Sequence, residues 1–184
     1  MDLNAFWGLV EASGVDAADQ DDRLERLTAA LAALPAGEVV EFAVRLDEVR
    51  RRVDTWGHWH AADLICGGWC SDDEFFYFQA WLVGQGRAVF EAVASSPDAL
   101  ADLPHVRLLA SRGDVHAWAQ EEWPDWEGLD GVAAEAFDGD LEAQPAVRGL
   151  LVSPDPAGES WDFADRAEIS ARIPRLGALF GKVA

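Results

Sequence analysis

The sequence predicts a mainly α-helical fold, formed by a single domain that packs around one central apolar helix at about residues 72–83. Apolar residues recur every three or four positions through the first half of the chain, which is the period of helices with one buried face. Half of the 184 residues are hydrophobic and nine are tryptophan, enough for a packed core. The stretch that follows Ser71 is apolar around its whole circumference, so we expect it to lie among the other helices.

Three amphipathic helices are predicted before residue 54. Their apolar stripes are Leu3, Phe6, Trp7 and Val10; Leu24, Leu27, Leu31 and Leu34; and Val39, Phe42, Leu46, Val49 and Val53. The first helix is expected to end at Ser13-Gly14 and the second at Pro35-Ala36-Gly37, because these residues break helices. Since the connections are short, the three helices should pack as neighbours.

The third predicted helix carries a basic triplet, Arg50-Arg51-Arg52. Asp47, Glu48 and Asp54 lie close to it along the chain. We predict a solvated face in which these charges form pairs worth only a few tenths of a kcal/mol. The alternative is an anion-binding site.

The central helix begins with a capping box, in which the Ser71 hydroxyl accepts from a free backbone amide and the Glu74 carboxylate reaches back. Asp72 and Asp73 then occupy the first turn, where the helix dipole favours negative charge. The alternative use of these two aspartates is general acid–base chemistry or a divalent cation site. The apolar residues that follow are Phe75, Phe76, Tyr77, Phe78, Trp81, Leu82 and Val83.

The second half of the chain is less regular. Val89, Phe90 and Val93 predict another helix, and Ser96-Pro97 resembles a helix start. The stretch from His105 to Ala110 fits a short strand or a helix turn, so one or two short strands stay open in this half. The tail from Trp161 to Ala184 predicts one or two short helices interrupted at Pro174. Residues 136–184 are therefore expected to be a less regular C-terminal extension of the helical region at 1–135.

Acidic residues outnumber basic ones by 34 to 14, and the net charge is −20. This balance argues against direct binding to nucleic acid or to an anionic membrane, because both need a basic surface. No run approaches the ~20 apolar residues of a membrane span, and the first residues do not resemble a signal peptide. Two cysteines are too few for a disulfide scaffold. We therefore expect a soluble cytoplasmic protein without a cofactor.

The first candidate site is a group of tryptophans in an acidic segment. It consists of Trp118, Trp123, Trp126, Glu121, Glu122 and Asp125. Exposed aromatic side chains anchor interfaces, and the surrounding carboxylates would select a cationic partner. This pattern predicts a non-enzymatic protein-interaction or regulatory module that binds a basic partner, such as a toxin-neutralising or nucleic-acid-mimicking protein. The alternative is that the three rings pack on the helical core.

The second candidate site belongs to another functional class, a small-molecule-binding or metal-dependent enzyme. Its pocket would be formed by Trp56, His58, His60, Asp72 and Asp73. Cys66 and Cys70 add further zinc-ligand types, but the spacing suits neither a zinc knuckle nor one helix face, so no metal site is predicted. The simpler interpretation is that the cysteines and histidines are packing residues. The chain contains no nucleophile elbow, phosphate-binding loop or dinucleotide fingerprint.

One segment resembles a bacterial family, the domain of unknown function 4240. The segment is the run from Gly67 to Arg87, GGWCSDDEFFYFQAWLVGQGR, preceded by Asp54-Thr55-Trp56. The Phe6-Trp7 opening and the Pro97-Asp98-Ala99-Leu100 stretch also fit, and the similarity covers about residues 1–135. The resemblance implies a helical bacterial domain, often from actinobacteria, with no established activity. This chain has Gln79 where the family tends to have arginine, so an anion site that needed that cation would be lost here.

Overall fold

The computed structural model describes residues 1–150 and 155–181, and these residues confirm the mainly α-helical prediction. The helices are α1 Leu3–Ser13, α2 Gln20–Ala32, α3 Ala36–Arg51, α4 Trp56–Ile65, α5 Asp72–Gly84, α6 Arg87–Ser95, α7 Pro104–Arg112, α8 Val132–Ala136, α9 Arg166–Arg172 and α10 Pro174–Phe180. Short 3-10 helices lie at Pro97–Asp102, Val115–Ala117, Gln120–Glu122 and Glu127–Asp130. Within the described ranges there is no strand, only one isolated bridge between Thr55 and Ala157.

The first three helices form where the apolar stripes predict them. Short side chains start several helices: Asp2 caps α1, Asp19 caps α2 and Thr55 caps α4, each accepting from a backbone amide three residues later. Phe6 of α1 packs against Phe42 of α3 with ring centroids 5.1 Å apart. The buried stripes of α1 and α3 therefore face each other across one core.

Helix α5 lies near the centre of the molecule, and both hydrogen bonds of its predicted capping box are present. Phe75, Phe78 and Trp81 are buried as expected. The prediction that other helices surround α5 on all sides is wrong at two positions, because Phe76 is 44% exposed and Tyr77 is only half-buried. The exposed side of α5 therefore has an aromatic ring at its edge, and this ring contributes to the site described below.

The uncertain stretch from His105 to Ala110 lies inside α7, so it is helical rather than extended. Pro104 occupies the first turn of this helix, where its missing N–H is not needed. Val106 and Leu109 are buried one turn apart. In the part of the chain that the structure covers, no helix is both long and apolar enough to cross a membrane.

The C-terminal helices pack onto the body formed by the earlier ones. The predicted interruption at Pro174 is confirmed, since α9 and α10 meet there; residues 182–184 of the predicted tail lie outside the described residues. Leu176 and Phe180 of α10 are buried in the common core. Asp98, which is 8% exposed, accepts from the backbone amides of Arg175 and Leu176, both at 3.0 Å. The extension is thus tied to the 3-10 helix that contains Asp98.

Candidate functional site

A cleft of about 300 Å³ opens between α3, α5, α8 and residues 141–150. Its apolar walls come from both the helices and the later segment, and its base is polar. The residues that line it are Ala43, Leu46, Asp47, Arg50, Arg51, Asp54, Phe76, Gln79, Asp130, Ala133, Ala134, Leu141, Glu142, Val147 and Leu150. A concave apolar surface with a few polar groups at one end is typical of small-molecule sites.

Arg50 occupies the polar base of this cleft and is only 6% exposed. It forms an ion pair with Asp130 through Nη1, while Nη2 donates to the Phe76 carbonyl oxygen at 3.1 Å and to Gln79 Oε1 at 3.3 Å. The guanidinium carbon also lies 3.3 Å from the centroid of the Phe76 ring. The predicted solvated face is therefore wrong for Arg50, although it holds for Arg51 and Arg52, which are exposed.

Gln79 connects the arginine to a second carboxylate. Its Oε1 accepts from Arg50, and its Nε2 donates to Asp54 Oδ1 at 3.2 Å. The two contacts fix the amide orientation, since only the oxygen can accept and only the nitrogen can donate. This chain lacks the arginine that the family tends to have at position 79, but Arg50 of α3 places a cation beside Gln79.

Burial raises the pKa of Asp130 to about 6, even though Arg50 lowers it, and Glu127 raises it further. Burial likewise lowers the pKa of Arg50 against the opposing effect of Asp130, Asp47 and Asp54. Arg50 Nε and Asp130 Oδ2 are both enclosed and have no hydrogen-bond partner. The base of the cleft thus holds a charge pair whose bonding capacity is incompletely used.

Sequence reasoning missed this cleft because its polar residues come from distant parts of the chain. One signal was present: Arg50 follows Leu46 by four positions and precedes Val53 by three, so it lies beside the apolar stripe of α3. Arg51 lies about 100° further around the helix, away from that stripe. The helical spacing alone therefore indicates that Arg50 faces the core and that Arg51 and Arg52 face solvent.

The tryptophans of the acidic segment lie mainly inside the protein. Trp126 is 1% exposed and Trp118 is 8% exposed, so neither is available as an exposed interface anchor. Trp126 packs on Gly84, where an added Cβ would lie 2.7 Å from Trp126 Cε3. Arg23 packs on the same ring, with its guanidinium carbon 4.4 Å from the ring centroid. Trp123 is partly buried against Trp118 with ring centroids 5.0 Å apart.

The carboxylates of this segment serve different local purposes. Glu122 accepts from the Ala119 amide at 2.9 Å and from Arg112 at 2.5 Å, and these bonds lower its pKa. Asp125 is partly buried, and this burial raises its pKa. Glu121 is exposed. The surface of this segment is therefore formed by acidic side chains, whereas the tryptophan rings lie mainly beneath it.

His58 in the second candidate site is a fully bonded packing residue. Its Nε2 lies 3.0 Å from the Val93 carbonyl oxygen, and its Nδ1 lies 2.7 Å from Thr55 Oγ1. Because a carbonyl oxygen only accepts, Nε2 carries the proton and Nδ1 accepts from the threonine hydroxyl. Burial lowers the pKa of His58, which keeps the ring neutral and favours this arrangement.

His60 is held by the C-terminal segment. Its ring stacks on Trp161 and Phe163, with centroid distances of 3.9 and 3.7 Å. Two parallel rings this close must cover opposite faces of the imidazole. Burial lowers the pKa of His60 to about 4, nearby Arg172 lowers it too, and Asp162 opposes them. Neither ring nitrogen has a hydrogen-bond partner in the described part of the chain.

Of the remaining members of the second candidate site, Trp56 contacts His60 edge-on with ring centroids 6.4 Å apart and stacks on Trp59 at 5.4 Å. Asp72 and Asp73 are exposed in the first turn of α5. Cys66 and Cys70 are both buried as free thiols, and the contact with Cys66 together with burial raises the pKa of Cys70. Across residues 1–150 and 155–181, no three His, Cys, Asp or Glu side chains are grouped to hold a metal ion.

A comparison with protein-family models places this arrangement in a family. The model described as a protein of unknown function, domain of unknown function 4240, matches residues 1–139. The chain belongs to this family. The match includes Arg50, Gln79 and Asp130, whereas the cleft wall at 141–150 lies beyond it. No curated protein and no solved structure matches the chain.

Proposed function

We propose that this member of the domain of unknown function 4240 family binds a small amphipathic molecule in the cleft at Arg50. The observation that carries the proposal is an apolar cleft built directly over a buried ion pair. Leu141, Val147 and Leu150 give the cleft an apolar lining, and Arg50, Asp54 and Asp130 add polar groups to it. Such a division orients a ligand, because its apolar body and its polar group each have one favourable place.

A cleft-filling variant tests this proposal. Ala134 lines the cleft on the short helix α8 and is exposed, so Ala134→Trp would fill the space without displacing a core residue. The matched control is Ala92→Trp, the same change at an exposed position of α6 that does not line the cleft. The probe is 1-octanol, titrated by calorimetry and by its effect on the unfolding temperature.

We expect saturable binding of one octanol to the parent protein and to Ala92→Trp, with a rise in unfolding temperature. Ala134→Trp should lose both effects while it remains folded. Equal octanol binding in the two tryptophan variants would rule out the cleft as the site. No binding to the parent protein would rule out the proposed function for ligands of this size.

The predicted basic protein partner stays a prediction, and it now depends on a different feature. The net charge of −20 still favours cationic partners. Trp118 and Trp126 no longer support it as exposed anchors, because both are buried. A cytoplasmic location likewise remains an expectation from the sequence.

A further inference from the structure

The charges that line the cleft are unequal in number. Four carboxylates line it, from Asp47, Asp54, Asp130 and Glu142, against the two guanidinium groups of Arg50 and Arg51. Each guanidinium already has a carboxylate partner, since Arg50 pairs with Asp130 and Arg51 pairs with Asp47.

Two lining carboxylates therefore have no cation within ion-pair distance among the described residues, namely Asp54 and Glu142. Among the described residues, Asp54 Oδ1 accepts from the neutral amide of Gln79, and Arg50 and Arg51 act on this carboxylate electrostatically from beyond ion-pair distance. The lining thus keeps an excess of negative charge next to an apolar wall.

Arg50 is poorly placed to bind an anion. Both terminal nitrogens already donate, to Asp130 on one side and to Phe76 and Gln79 on the other. One face of the guanidinium is covered by the Phe76 ring. Three of its five N–H donors are used, and of the two that remain, one on Nη1 and one on Nε, the Nε–H is enclosed. Arg50 therefore does not present the two parallel free donors that bind a carboxylate or phosphate best.

The carboxylates have acceptor capacity left. Asp54 uses Oδ1 for Gln79, which leaves its Oδ2, and Glu142 is exposed on the cleft lining, whereas the unpartnered Oδ2 of Asp130 is enclosed like Arg50 Nε. An ammonium group carries three donors and no acceptor, so it complements two such carboxylates. The net charge of −20 adds a field that draws cations toward the protein.

We infer that the ligand of the cleft is an amine with an apolar body, whose ammonium group lies against Asp54 beside the Arg50–Asp130 pair. The apolar body lies along Leu141 and Val147. This inference rests on the proposed function, because it names the chemical class of the molecule that the cleft binds.

Three ligands of equal length test the class: octylamine, 1-octanol and octanoate, titrated by calorimetry at pH 7. Octylamine and 1-octanol carry the same octyl chain and octanoate carries one methylene fewer, which is worth about fourfold in affinity, so larger differences report the polar group. We expect octylamine to bind about tenfold more tightly than octanol, the gain of one charge-assisted hydrogen bond, and octanoate to bind most weakly. Added salt should weaken octylamine binding most, because ions screen a charge–charge attraction.

Asp54→Asn removes the charge that the inference assigns to the ammonium and keeps the side-chain shape. It should narrow the preference for octylamine over octanol to a few-fold. Asp21→Asn is the control, since it removes one exposed carboxylate of α2 that does not line the cleft. That variant should keep the tenfold preference.

The outcomes separate the two proposals. If octanoate binds as tightly as octylamine, or if Asp54→Asn keeps the full preference, the amine inference is overturned. The proposed function of the cleft as a binding site is then unaffected. If none of the three ligands binds, or if Ala134→Trp binds all three like the parent protein, the proposed function itself fails.

Discussion

Arg50 of α3 and Asp130, 80 residues later in the chain, form an ion pair at the base of an apolar cleft. The arginine is buried and the aspartate is partly buried, so each charge depends on the other for compensation. Removing either partner therefore has consequences that depend on pH.

Arg50→Met should destabilise the protein more at pH 8 than at pH 5. Without Arg50, the pKa of Asp130 should rise above its present value of about 6, because the arginine is the group that lowers it. At pH 8 the carboxylate is then ionised and unpaired, at a cost of about 3 kcal/mol, whereas at pH 5 it is protonated and the cost is smaller. Chemical denaturation at the two pH values measures the difference.

The control for that experiment is Arg52→Met, which removes an exposed pair with Glu91 on the neighbouring α6. Its cost should stay below about 1 kcal/mol at both pH values. A loss at Arg50→Met that is equal at pH 5 and pH 8 would contradict the assigned role of Asp130.

The helices before residue 54 were predictable because each buried stripe is a local pattern. Leu27 and Leu31 lie one turn apart on α2, and both are buried as that spacing requires. The burial of Arg50 depends on Asp130 and Gln79, which no local pattern relates to it. Trp126 follows the 3-10 helix at 120–122 and an irregular stretch. Because this backbone has no regular repeat, the sequence does not indicate which of its side chains are buried.

His60 should make the protein less stable in mild acid. Burial and the nearby Arg172 lower its pKa from 6.5 to about 4, although Asp162 acts in the opposite direction. The imidazole is therefore harder to protonate in the folded protein than in the unfolded chain. Stability from the neutral ring is fully present above pH 6.5 and is lost as the pH falls toward 4.

Two variants check the origin of that effect. His60→Leu should be closer to the parent protein in stability at pH 4.5 than at pH 7, measured by denaturation. Phe163→Ala uncovers one face of the imidazole and should raise the pKa of His60, followed by NMR titration. An unchanged His60 titration in this variant would show that the stacked ring is not what excludes water.

Gly84→Ala should destabilise the protein by about 1–3 kcal/mol, although alanine favours helices. A Cβ at this position would lie 2.7 Å from Trp126 Cε3, and a rigid buried indole has little freedom to move. The matched change is Gly8→Ala in α1, where no atom lies within 4 Å of the added Cβ. That variant should be stabilised by about 0.5–1 kcal/mol. The same sign in both variants would contradict the packing explanation.

Trp126→Ala should cost about 3–5 kcal/mol, because the ring is fully buried between α2 and α5. Trp69 is the reference, since it is 64% exposed in the loop between α4 and α5. Trp69→Ala should change stability by less than about 0.5 kcal/mol. Urea denaturation of both variants measures the contrast, and a similar loss in the two would refute the assigned burial.

Asp98→Ala should loosen the attachment of α10. The carboxylate accepts from the amides of Arg175 and Leu176 and from Arg175 Nε at 3.1 Å, and its loss should cost about 2–3 kcal/mol. Asp102 contacts the same arginine from an exposed position, so Asp102→Ala should have a small effect. Hydrogen exchange should show the loss concentrated in α10. Uniform loss throughout the helices would instead indicate that α10 unfolds only with the whole protein.

The contacts of the Asp98 carboxylate with α10 can form only late in protein synthesis. Its backbone partners are made 77 and 78 residues later, so a nascent chain that ends before residue 175 holds Asp98 without them. The surface that Leu176 and Phe180 cover is open during that time. The hydrophobic core is therefore fully covered only after residue 180 has been translated. Until then the nascent chain exposes an apolar surface that is prone to aggregation.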